Sequence, residues 1–486
     1  MPLKLYDTLS RTQRELIPLD GRVFRFYACG PTVYGPAHIG NFRTFVMQDL
    51  LRRVLELGGL PTKHVRNLTD VDDKTIRVSQ EQGITLTKFT EHWTKQFHAD
   101  CDALACLPPH VEPAAAAHIP QQIGMITELM DKGHAYKTAD GSVFFKIASF
   151  PAYGELSRVK ERELQQGISV ADDEYEKDSM GDFALWKARK PEDGPNFWAA
   201  PWGEGRPGWH LECSAMIREY LGDSFDLHSG GVDLVFPHHE NEIAQSVCCA
   251  APIAGEGGST GSGGFAAHWF HITHVLVDGK KMSKSLGNLH TLGDLTTKGY
   301  SAAEVRYVLT AAHYRGQLNF TMDSLDGSRS ALHRLARAQK ALAARSGGDH
   351  SADGKNPVPA PAYSALIGQN PGPFAAAWTA LNQDLNTSES LGHLFTTLKS
   401  LKPDQLTPAE ALEAWKGFHL ILAAFGIQLP EEKSDGIPEE IQTIADARQA
   451  ARLSKNWAES DRLRARLDEL GWTMQDTRES YSLTKK

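Results

Sequence analysis

Two short segments of the chain carry residue types that suit the binding of a nucleoside triphosphate. The first, Pro-Ala-His-Ile-Gly-Asn at 36–41, lies between an expected strand and an expected helix. His38 and the backbone of Gly40 then fall at a helix N-terminus, where free N–H groups and the helix dipole favour phosphate oxygens. A histidine in an ordinary turn is the alternative, and this segment taken alone favours that simpler interpretation.

The second segment is Lys-Met-Ser-Lys-Ser at 281–285. The ammonium groups of Lys281 and Lys284, with Ser283 between them, suit a moving clamp that stabilises charge developing on a leaving pyrophosphate. A solvated basic loop is the alternative. The combination of this string with the upstream His-Ile-Gly favours the phosphate clamp.

A third set of residues has the side chains that bind zinc. Cys29 ends the first expected strand, and Cys213 lies far along the chain. His238 and Glu242 are four residues apart, on one face of a helix that we expect to begin at Pro237. Two thiolates, an imidazole and a carboxylate make a Zn²⁺ set. Spacing does not bring the two cysteines together, and composition alone favours buried cysteines beside a histidine pair at a helix start.

The elements expected to position these residues alternate between strand and helix. Val23–Cys29 has a strand pattern, 41–57 has helical periodicity, and Thr62–Leu68 has the pattern of a second strand. A strand, a helix and a strand within about 40 residues form a βαβ unit, which predicts a parallel sheet. The Gly- and Ser-rich stretches 255–264 and 347–373 indicate loops.

Composition restricts the class of protein. The chain has 486 residues, 41% of them hydrophobic, and a net charge of −9. This charge disfavours attachment to nucleic acid or membrane through a general basic surface. We expect no signal peptide, no membrane span and a cytoplasmic location with reduced thiols. Cys248 and Cys249 are assigned to packing, and the sequence offers no partner for Cys101 or Cys106.

The motifs at 38–41 and 281–285 together resemble the paired signature of the class I aminoacyl-tRNA synthetases. Asn41 stands where the common signature has histidine, and asparagine still donates hydrogen bonds but carries no positive charge. His-Ile-Gly-Asn is an accepted variant among the cysteine enzymes. The resemblance implies that His38, Asn41 and both lysines are catalytic and that Mg²⁺ accompanies ATP.

Further motifs resemble the cysteinyl-tRNA synthetase family over almost the whole chain. They are Cys-Gly-Pro-Thr-Val-Tyr at 29–34, Val-Arg-Asn-Leu-Thr-Asp at 65–70, Pro-Gly-Trp-His-Leu-Glu-Cys at 207–213, Phe-Pro-His-His-Glu-Asn-Glu at 236–242 and Ala-His-Tyr-Arg at 312–315. The resemblance implies one zinc ion per chain on Cys29, Cys213, His238 and Glu242, with His239 and Glu240 not acting as ligands. The cysteine-binding residues that it implies are Thr32, Thr69, Trp209 and His228. The implied ATP-binding residues are His38, Gly40, Asn41, Gly231, Asp233, Lys281, Ser283 and Lys284.

A metal would serve the selection of cysteine over serine. The two differ by sulfur against oxygen, and a shaped pocket separates such near-isosteres poorly. A metal holds a thiol as thiolate, whereas an alcohol is a poorer ligand at neutral pH. The resemblance therefore implies discrimination in the first binding step, and we expect no separate editing site.

The C-terminal segment resembles the anticodon-binding unit of the same family. The matching residues are Arg448, Arg452, Trp457, Asp461 and Arg464. Arginine and aspartate can read the edges of unstacked bases, and an aromatic ring can stack on them. A solvated helix face is the alternative. The end of the chain, 476–482, departs from the family pattern.

These features predict an α/β chain with a doubly wound, Rossmann-like parallel-sheet catalytic domain and an inserted subdomain, followed by an α-helical bundle and a small C-terminal anticodon-binding unit. The expected ranges are 1–111 and 206–278 for the catalytic halves, 112–205 for the inserted connective subdomain, 279–322 for the lysine loop and stem-contact region, 323–430 for the tRNA-binding bundle and 438–486 for the anticodon unit. The implied activity is the ligation of cysteine to the 3′ end of tRNA(Cys) through cysteinyl-adenylate, by a monomer. The alternatives are a ligase that joins cysteine to a small amine, as in mycothiol synthesis, and a non-catalytic tRNA-binding relative.

Overall fold

The computed structural model describes residues 2–159, 181–250, 264–283, 286–346, 361–430, 438–476 and 481–485. The chain divides into two compact units, 1–429 and 430–486. Lys284, nearly all of the expected loop 255–264 and the first half of the loop 347–373 lie outside the described residues. Among the described residues, no helix has both the length and the apolar character needed to cross a membrane.

Strands and helices alternate through the first part of the larger unit. Its strands are β1 (Lys4–Asp7), β2 (Thr12–Glu15), β3 (Phe24–Ala28), β4 (Thr62–Arg66), β5 (Ala135–Lys137), β6 (Val143–Phe145), β7 (Phe183–Ala188), β8 (Trp198–Ala200), β9 (Gly203–Pro207), β10 (Leu227–Gly231), β11 (Trp269–Ile272), β12 (Val275–Val277), β13 (Lys280–Lys281) and β14 (Leu318–Phe320). Its helices are α1 (Ile39–Leu57), α2 (Asp73–Glu81), α3 (Leu86–Ala103), α4 (Ile119–Asp131), α5 (Trp209–Leu221), α6 (Glu240–Cys249), α7 (Leu292–Thr297), α8 (Ala302–Ala311), α9 (Met322–Arg345), α10 (Ala375–Asn382), α11 (Thr387–Ser400) and α12 (Pro408–Phe425).

A four-stranded parallel sheet forms the centre of this unit, with the strand order β11-β10-β3-β4. In its register, Ala28 at the end of β3 lies opposite both Arg66 of β4 and Ser229 of β10. The carboxyl ends of neighbouring strands therefore meet at one edge, where α/β sheets bind their ligands. The predicted parallel-sheet α/β fold class is confirmed.

Helix α1 is buried along most of its length, and polar residues inside it are paired. Asp49 Oδ2 accepts a hydrogen bond from Arg53 Nε at 2.7 Å and a second from Arg306 of α8. Asp49 and Arg306 are almost inaccessible to solvent, so each charge depends on its partner for stabilisation. This network fixes α1 and α8 against each other beside the central sheet.

The segment between β5 and β9 forms a separate five-stranded antiparallel sheet with the order β5-β6-β7-β9-β8. It leads directly into α5 through Gly208. A Cβ atom at Gly208 would overlap the carbonyl oxygen of Ala184. The close approach that glycine permits sets the start of α5, which carries Trp209 and Cys213.

Two further parts complete the larger unit. Strands β13, β12 and β14 form a small sheet in which Leu276 pairs with Lys281 and Val275 with Leu318. Helices α9 to α12 pack together through residues such as Leu335 and Phe418, which are fully buried. The small sheet holds the beginning of the lysine loop, residues 281–285. Helices α9 to α12 form the helical region that the sequence predicts.

The smaller unit contains α13 (Glu439–Leu453), α14 (Trp457–Glu469) and an antiparallel hairpin of β15 (Trp472–Asp476) and β16 (Tyr481–Lys485). Its core is small and apolar, and includes Ile441, Ala445, Leu467, Trp472 and Met474.

Candidate metal and nucleotide sites

Two thiols, an imidazole and a carboxylate meet at the carboxyl edge of the central sheet. Cys29 directly follows β3, Cys213 lies on α5, His238 lies in the turn just before α6, and Glu242 lies in the first turn of α6. One ligand atom from each residue lies within 4.8 Å of all the others, and all four residues are buried. The fold thus brings together four residues that the sequence spacing alone does not place near one another. Their sulfur, nitrogen and oxygen atoms suit a metal ion.

The helix that carries His238 and Glu242 begins where the sequence predicts. Phe236 is extended, with φ −140° and ψ 132°, and the residues from Pro237 to His239 have helical dihedral angles that lead into the regular α-helix at Glu240. The predicted start at Pro237 is therefore confirmed, with one wider turn before the regular α-helix. His238 Nε2 lies 2.9 Å from Glu242 Oε1, as expected for residues four apart on one helix face.

The charges within the cluster are mutually dependent. Burial alone would raise the pKa of Glu242, but His228 and His238 lower it to about 2. Burial alone would lower the pKa of His238, but the Glu242 carboxylate and the Cys213 sulfur raise it to about 10. A hydrogen bond from the Cys29 thiol lowers the pKa of Cys213 to about 6. The Glu242 carboxylate and the Cys213 sulfur therefore carry the negative charge of the cluster and the His238 imidazolium the positive charge, and a metal ion would replace the His238 proton on binding.

A second histidine pair reaches the same atoms. His239 Nε2 lies 3.4 Å from Cys29 Sγ, and His228 Nε2 lies 2.7 Å from Glu242 Oε2. Cys29, His228, His239 and Glu242 also bring one ligand atom each within 4.8 Å of the rest. The family resemblance implies no ligand role for His239 and a place beside the amino acid for His228. The structure buries both beside the proposed ligands.

Two other histidines, which the sequence analysis missed, form an outer layer. His210 Nδ1 lies 2.7 Å from His238 Nδ1, and His239 Nδ1 lies 2.8 Å from His271 Nε2. Partners of this kind orient metal-binding imidazoles. The signal for His210 was its place in the first turn of α5, three residues before Cys213.

The cysteine-binding residues expected from the sequence lie around this edge. Thr32 and Thr69 form an isolated parallel bridge between the segments that follow β3 and β4. The Thr69 hydroxyl accepts a hydrogen bond from Asn67 Nδ2 at 3.1 Å. The partly exposed ring of Trp209 has its centroid 4.3 Å from that of His238. The threonines therefore lie at the carboxyl edge of the central sheet, and Trp209 lies against the metal-type cluster at the same edge.

Residues 36–41, the first of the two segments suited to phosphate binding, cap the N-terminus of helix α1. His38 Nδ1 accepts hydrogen bonds from the N–H groups of Gly40 at 3.1 Å and Asn41 at 3.3 Å, and Asn41 Oδ1 accepts one from the His38 N–H at 3.1 Å. The expectation of free N–H groups is wrong for Gly40 and Asn41, because the histidine ring occupies them. Burial lowers the pKa of His38 against an opposing effect of Asp233. The ring is therefore neutral near pH 7, with Asp233 close by.

The beginning of the second such segment, residues 281–283, lies against the first. Met282 packs over Gly40 so closely that a Cβ atom there would overlap the Met282 methyl group. Asn288 Oδ1 accepts a hydrogen bond from the Ser283 N–H at 2.9 Å, and Asn288 Nδ2 donates to the Lys281 carbonyl at 3.2 Å. The structure thus brings the beginning of the lysine loop to the start of α1, and Asn288 is a fixing residue that the sequence analysis did not select.

The five residues expected to contact an anticodon differ in exposure. Arg448 is 4% exposed, and its Nη1 lies 3.1 Å from Met474 Sδ in the core of the smaller unit. The assignment of Arg448 as a base contact is therefore corrected to a packing role. The other four reach the surface. Arg452 is half-buried, and Trp457, Asp461 and Arg464 are exposed.

Known proteins resemble the chain over its full length. A family model for the class I (C) tRNA synthetase catalytic domain matches residues 15–330, and one for the cysteinyl-tRNA ligase anticodon binding domain matches 434–480. The cysteine–tRNA ligase of Opitutus terrae is 51% identical over 99% of both chains. That of Chlamydia muridarum is 41% identical over 100% of both.

A solved structure agrees at the level of the fold. Mycobacterium tuberculosis methionyl-tRNA synthetase in complex with methionyl-adenylate has a TM-score of 0.55 at 11% identity, covering 88% of this chain and 94% of its own. The architecture, the full-length similarity and the two family models agree. The chain therefore belongs to the cysteinyl-tRNA synthetase family of class I aminoacyl-tRNA synthetases.

Proposed function

We propose that Cys29, Cys213, His238 and Glu242 hold one zinc ion and that this site selects cysteine over serine. The chain is a class I aminoacyl-tRNA synthetase that ligates cysteine to tRNA, and the proposal concerns how it recognises the amino acid. The observation that carries it is the convergence of four buried donor atoms within 4.8 Å. When bound there, zinc supplies a Lewis-acidic position that prefers a thiolate to a neutral hydroxyl.

The neighbouring side chains support this assignment. Glu242 Oε2 accepts a hydrogen bond from His228 Nε2 at 2.7 Å, which fixes one carboxylate oxygen. His210 holds the ring of His238 from its Nδ1 side. A ligand set that is already held by outer hydrogen bonds loses little freedom when the ion binds.

The remaining pocket residues bind and orient the amino acid. Thr32 and Thr69, whose backbones pair at the carboxyl edge of the sheet, carry hydroxyl groups that can bind the amino acid, and the partly exposed face of Trp209 suits the substrate ammonium. The substrate carboxylate is ionised at pH 7, so its attack on the α-phosphorus of ATP requires no general base.

The residues around the start of α1 hold ATP and stabilise the departing pyrophosphate, with Mg²⁺ bound to the nucleotide. The set that we propose is His38, Gly40, Asn41, Gly231, Asp233, Lys281, Ser283 and Lys284. Because His38 is neutral and caps α1, its exposed ring edge contributes a hydrogen bond rather than a full charge. The lysines supply the positive charge.

The remaining ranges serve tRNA(Cys). We assign 112–205 to a connective subdomain, 279–322 to the lysine loop and stem contacts, 323–430 to a tRNA-binding bundle and 438–486 to anticodon recognition. In the last of these, Arg452, Trp457, Asp461 and Arg464 present aromatic, cationic and acidic groups to solvent. Such groups read unstacked bases by stacking and at their edges.

Metal analysis combined with ATP–pyrophosphate exchange tests the selection site. We expect one zinc per chain and a preference for cysteine over serine of about 10⁴-fold or more, typical of a site built around a specific substrate group. Cys213→Ser should lose both the zinc and the preference. Cys249→Ser, which replaces an equally buried thiol outside the cluster, should keep both. A zinc-free wild-type protein that still prefers cysteine would overturn the proposal.

A further inference from the structure

Cys101 and Cys106 lie together where helix α3 ends. The Cys106 N–H donates to the Cys101 carbonyl at 2.9 Å, and Ala105 has a left-handed φ of 54°. This hydrogen bond is that of a Schellman motif, a common end of α-helices. The motif brings the side chains of its first and sixth residues, here Cys101 and Cys106, into contact. The two side chains therefore meet without any movement of the backbone. Each is nearly buried, with 5% and 7% exposure.

Two guanidinium groups face this pair of sulfurs. Arg66 Nη1 lies 4.0 Å from Cys101 Sγ, and Arg306 Nη1 lies 3.7 Å from Cys106 Sγ. The hydrogen bond from the Cys101 thiol lowers the pKa of Cys106, and Arg306 and Arg66 lower it further against the opposing effects of burial and of Asp49. Thiolates in such electropositive surroundings are nucleophilic.

The neighbouring pair Cys248 and Cys249 provides a contrast within the same molecule. Burial raises the pKa of each thiol to about 12. The Cys249 thiol lies 3.6 Å from the carbonyl of Met125, to which it donates. These two thiols have the surroundings of inert packing cysteines, as the sequence analysis expected.

We propose that Cys101 and Cys106 form a peroxide-reactive dithiol site that is oxidised to an intramolecular disulfide. The Cys106 thiolate attacks one oxygen of hydrogen peroxide, the O–O bond breaks, and hydroxide leaves and is protonated to water. Cys106 is then a sulfenic acid. The Cys101 sulfur attacks it, the S–O bond breaks, and a second water leaves with the thiol proton. Two thiols are oxidised and one peroxide is reduced to two waters.

The surrounding charges allow the fold to accept this disulfide. Oxidation removes the sulfur anion, but Arg66 keeps its ion pair with Glu112, whose Oε1 lies 2.6 Å from Nη2. Arg306 keeps its ion pair with Asp49. Neither buried guanidinium is left without a counter-charge, which would be costly. The disulfide therefore forms reversibly in the folded protein, and a dithiol reductant restores the thiols.

Mass spectrometry of the folded, metal-loaded enzyme tests the site. Trypsin releases Gln96–Lys132 as one peptide that contains Cys101 and Cys106 and no other cysteine. After a brief treatment with a small excess of hydrogen peroxide, we expect this peptide to be two hydrogens lighter and to resist alkylation. Treatment with dithiothreitol should restore both properties. The peptide with Cys248 and Cys249 should stay reduced throughout.

Two single variants distinguish the attacking from the resolving thiol. Cys101→Ser should leave a sulfenic acid on Cys106 that a dimedone probe captures. Cys106→Ser should slow the oxidation of Cys101 at least tenfold. If Gln96–Lys132 remains a dithiol while Cys248 and Cys249 oxidise, or if Cys101 reacts equally fast in Cys106→Ser, the proposal is overturned.

Discussion

His210 and His238 face each other through their Nδ1 atoms, which lie 2.7 Å apart in a buried interior. One nitrogen must donate and the other accept. Burial holds the pKa of His210 well below its usual value, so His210 accepts and His238 donates from Nδ1, and the Nε2 of His238 is directed at Glu242 and would lose its proton to a metal ion. His210 then fixes both the orientation and the tautomer of a metal-binding ring.

Replacing His210 by alanine should weaken zinc binding by about 10- to 100-fold, the usual effect of losing an outer hydrogen-bond partner. Competition with a chromophoric chelator measures this affinity directly. His393→Ala is the matched control, because that histidine is 42% exposed and its partner among the ion pairs of the described residues is Glu389, outside the cluster. Unchanged zinc affinity in His210→Ala would contradict the positioning role.

Gly30→Ala should reduce cysteine-dependent ATP–pyrophosphate exchange by about 100-fold, the effect expected of a displacement near 1 Å at a reacting centre. A Cβ atom at Gly30 would overlap the Asn67 carbonyl oxygen, and the Gly30 N–H already donates to Asn67 Oδ1 at 2.9 Å. The substitution must push Cys29 and Thr32 away from the edge of β4. Gly124→Ala, on an open face of α4, should retain full exchange activity, and similar losses in both variants would refute the steric argument.

The central elements were predictable because their hydrophobic pattern is strong. The strands β3 and β4 and helix α1 carry the apolar residues of a buried βαβ unit, so their order and type follow from periodicity. Their ends were less predictable. Helix α1 begins at Ile39 rather than at Asn41, because an imidazole nitrogen of His38 acts as the cap in place of the usual hydroxyl or carboxylate.

The site was predictable in its residue types but only partly in its geometry. Neither spacing nor periodicity brings Cys29 to Cys213, and the family resemblance provided that link. The approach of His239 to Cys29 at 3.4 Å is a tertiary contact between distant segments, and the sequence pattern carries no signal for it. Arg448 has the same helical spacing as the surface arginines, but the hairpin containing Met474 covers its face of the helix.

Asp384→Asn should lower the free energy of unfolding by about 2 kcal/mol, the value for charge-assisted hydrogen bonds. Asp384 accepts hydrogen bonds from the Tyr6 N–H at 2.8 Å, the Tyr314 hydroxyl at 2.5 Å and Arg315 Nε at 3.0 Å. Asparagine tolerates the left-handed φ of 61° at this position, so the backbone is not strained. Urea titration followed by fluorescence measures the change. Glu81→Gln breaks an exposed ion pair and should cost less than about 0.5 kcal/mol, and an equal loss in both variants would contradict the prediction.

The stability difference between the wild type and Asp384→Asn should depend on pH. Burial would raise the pKa of Asp384, but hydrogen bonds from His313, Tyr314, Tyr6 and Arg315 hold it below its usual range. A group with a lowered folded-state pKa stabilises the protein above its unfolded pKa of about 3.9, and the effect disappears as the pH falls through the folded value. The difference should therefore be constant from about pH 5 to pH 8 and shrink below about pH 4. Urea titrations of both proteins across this range provide the test, and a difference that grows on acidification would exclude Asp384 as the source.

Trp457→Ala should raise the KM for tRNA about tenfold while leaving cysteine activation unchanged. The Trp457 side chain is 59% exposed at the start of α14, and stacking of a base on an aromatic ring contributes about 1–3 kcal/mol. The helix cap uses the Asn456 side chain, which accepts from the Glu459 N–H at 3.3 Å, so the loss of the indole leaves the helix start intact. Charging of tRNA and ATP–pyrophosphate exchange, measured on the same preparation, separate tRNA binding from the chemistry of activation. Arg462→Ala, which removes an exposed side chain paired with Glu459 on the same helix, should leave both activities unchanged, and a parallel loss of exchange activity in Trp457→Ala would indicate a folding defect instead of a lost base contact.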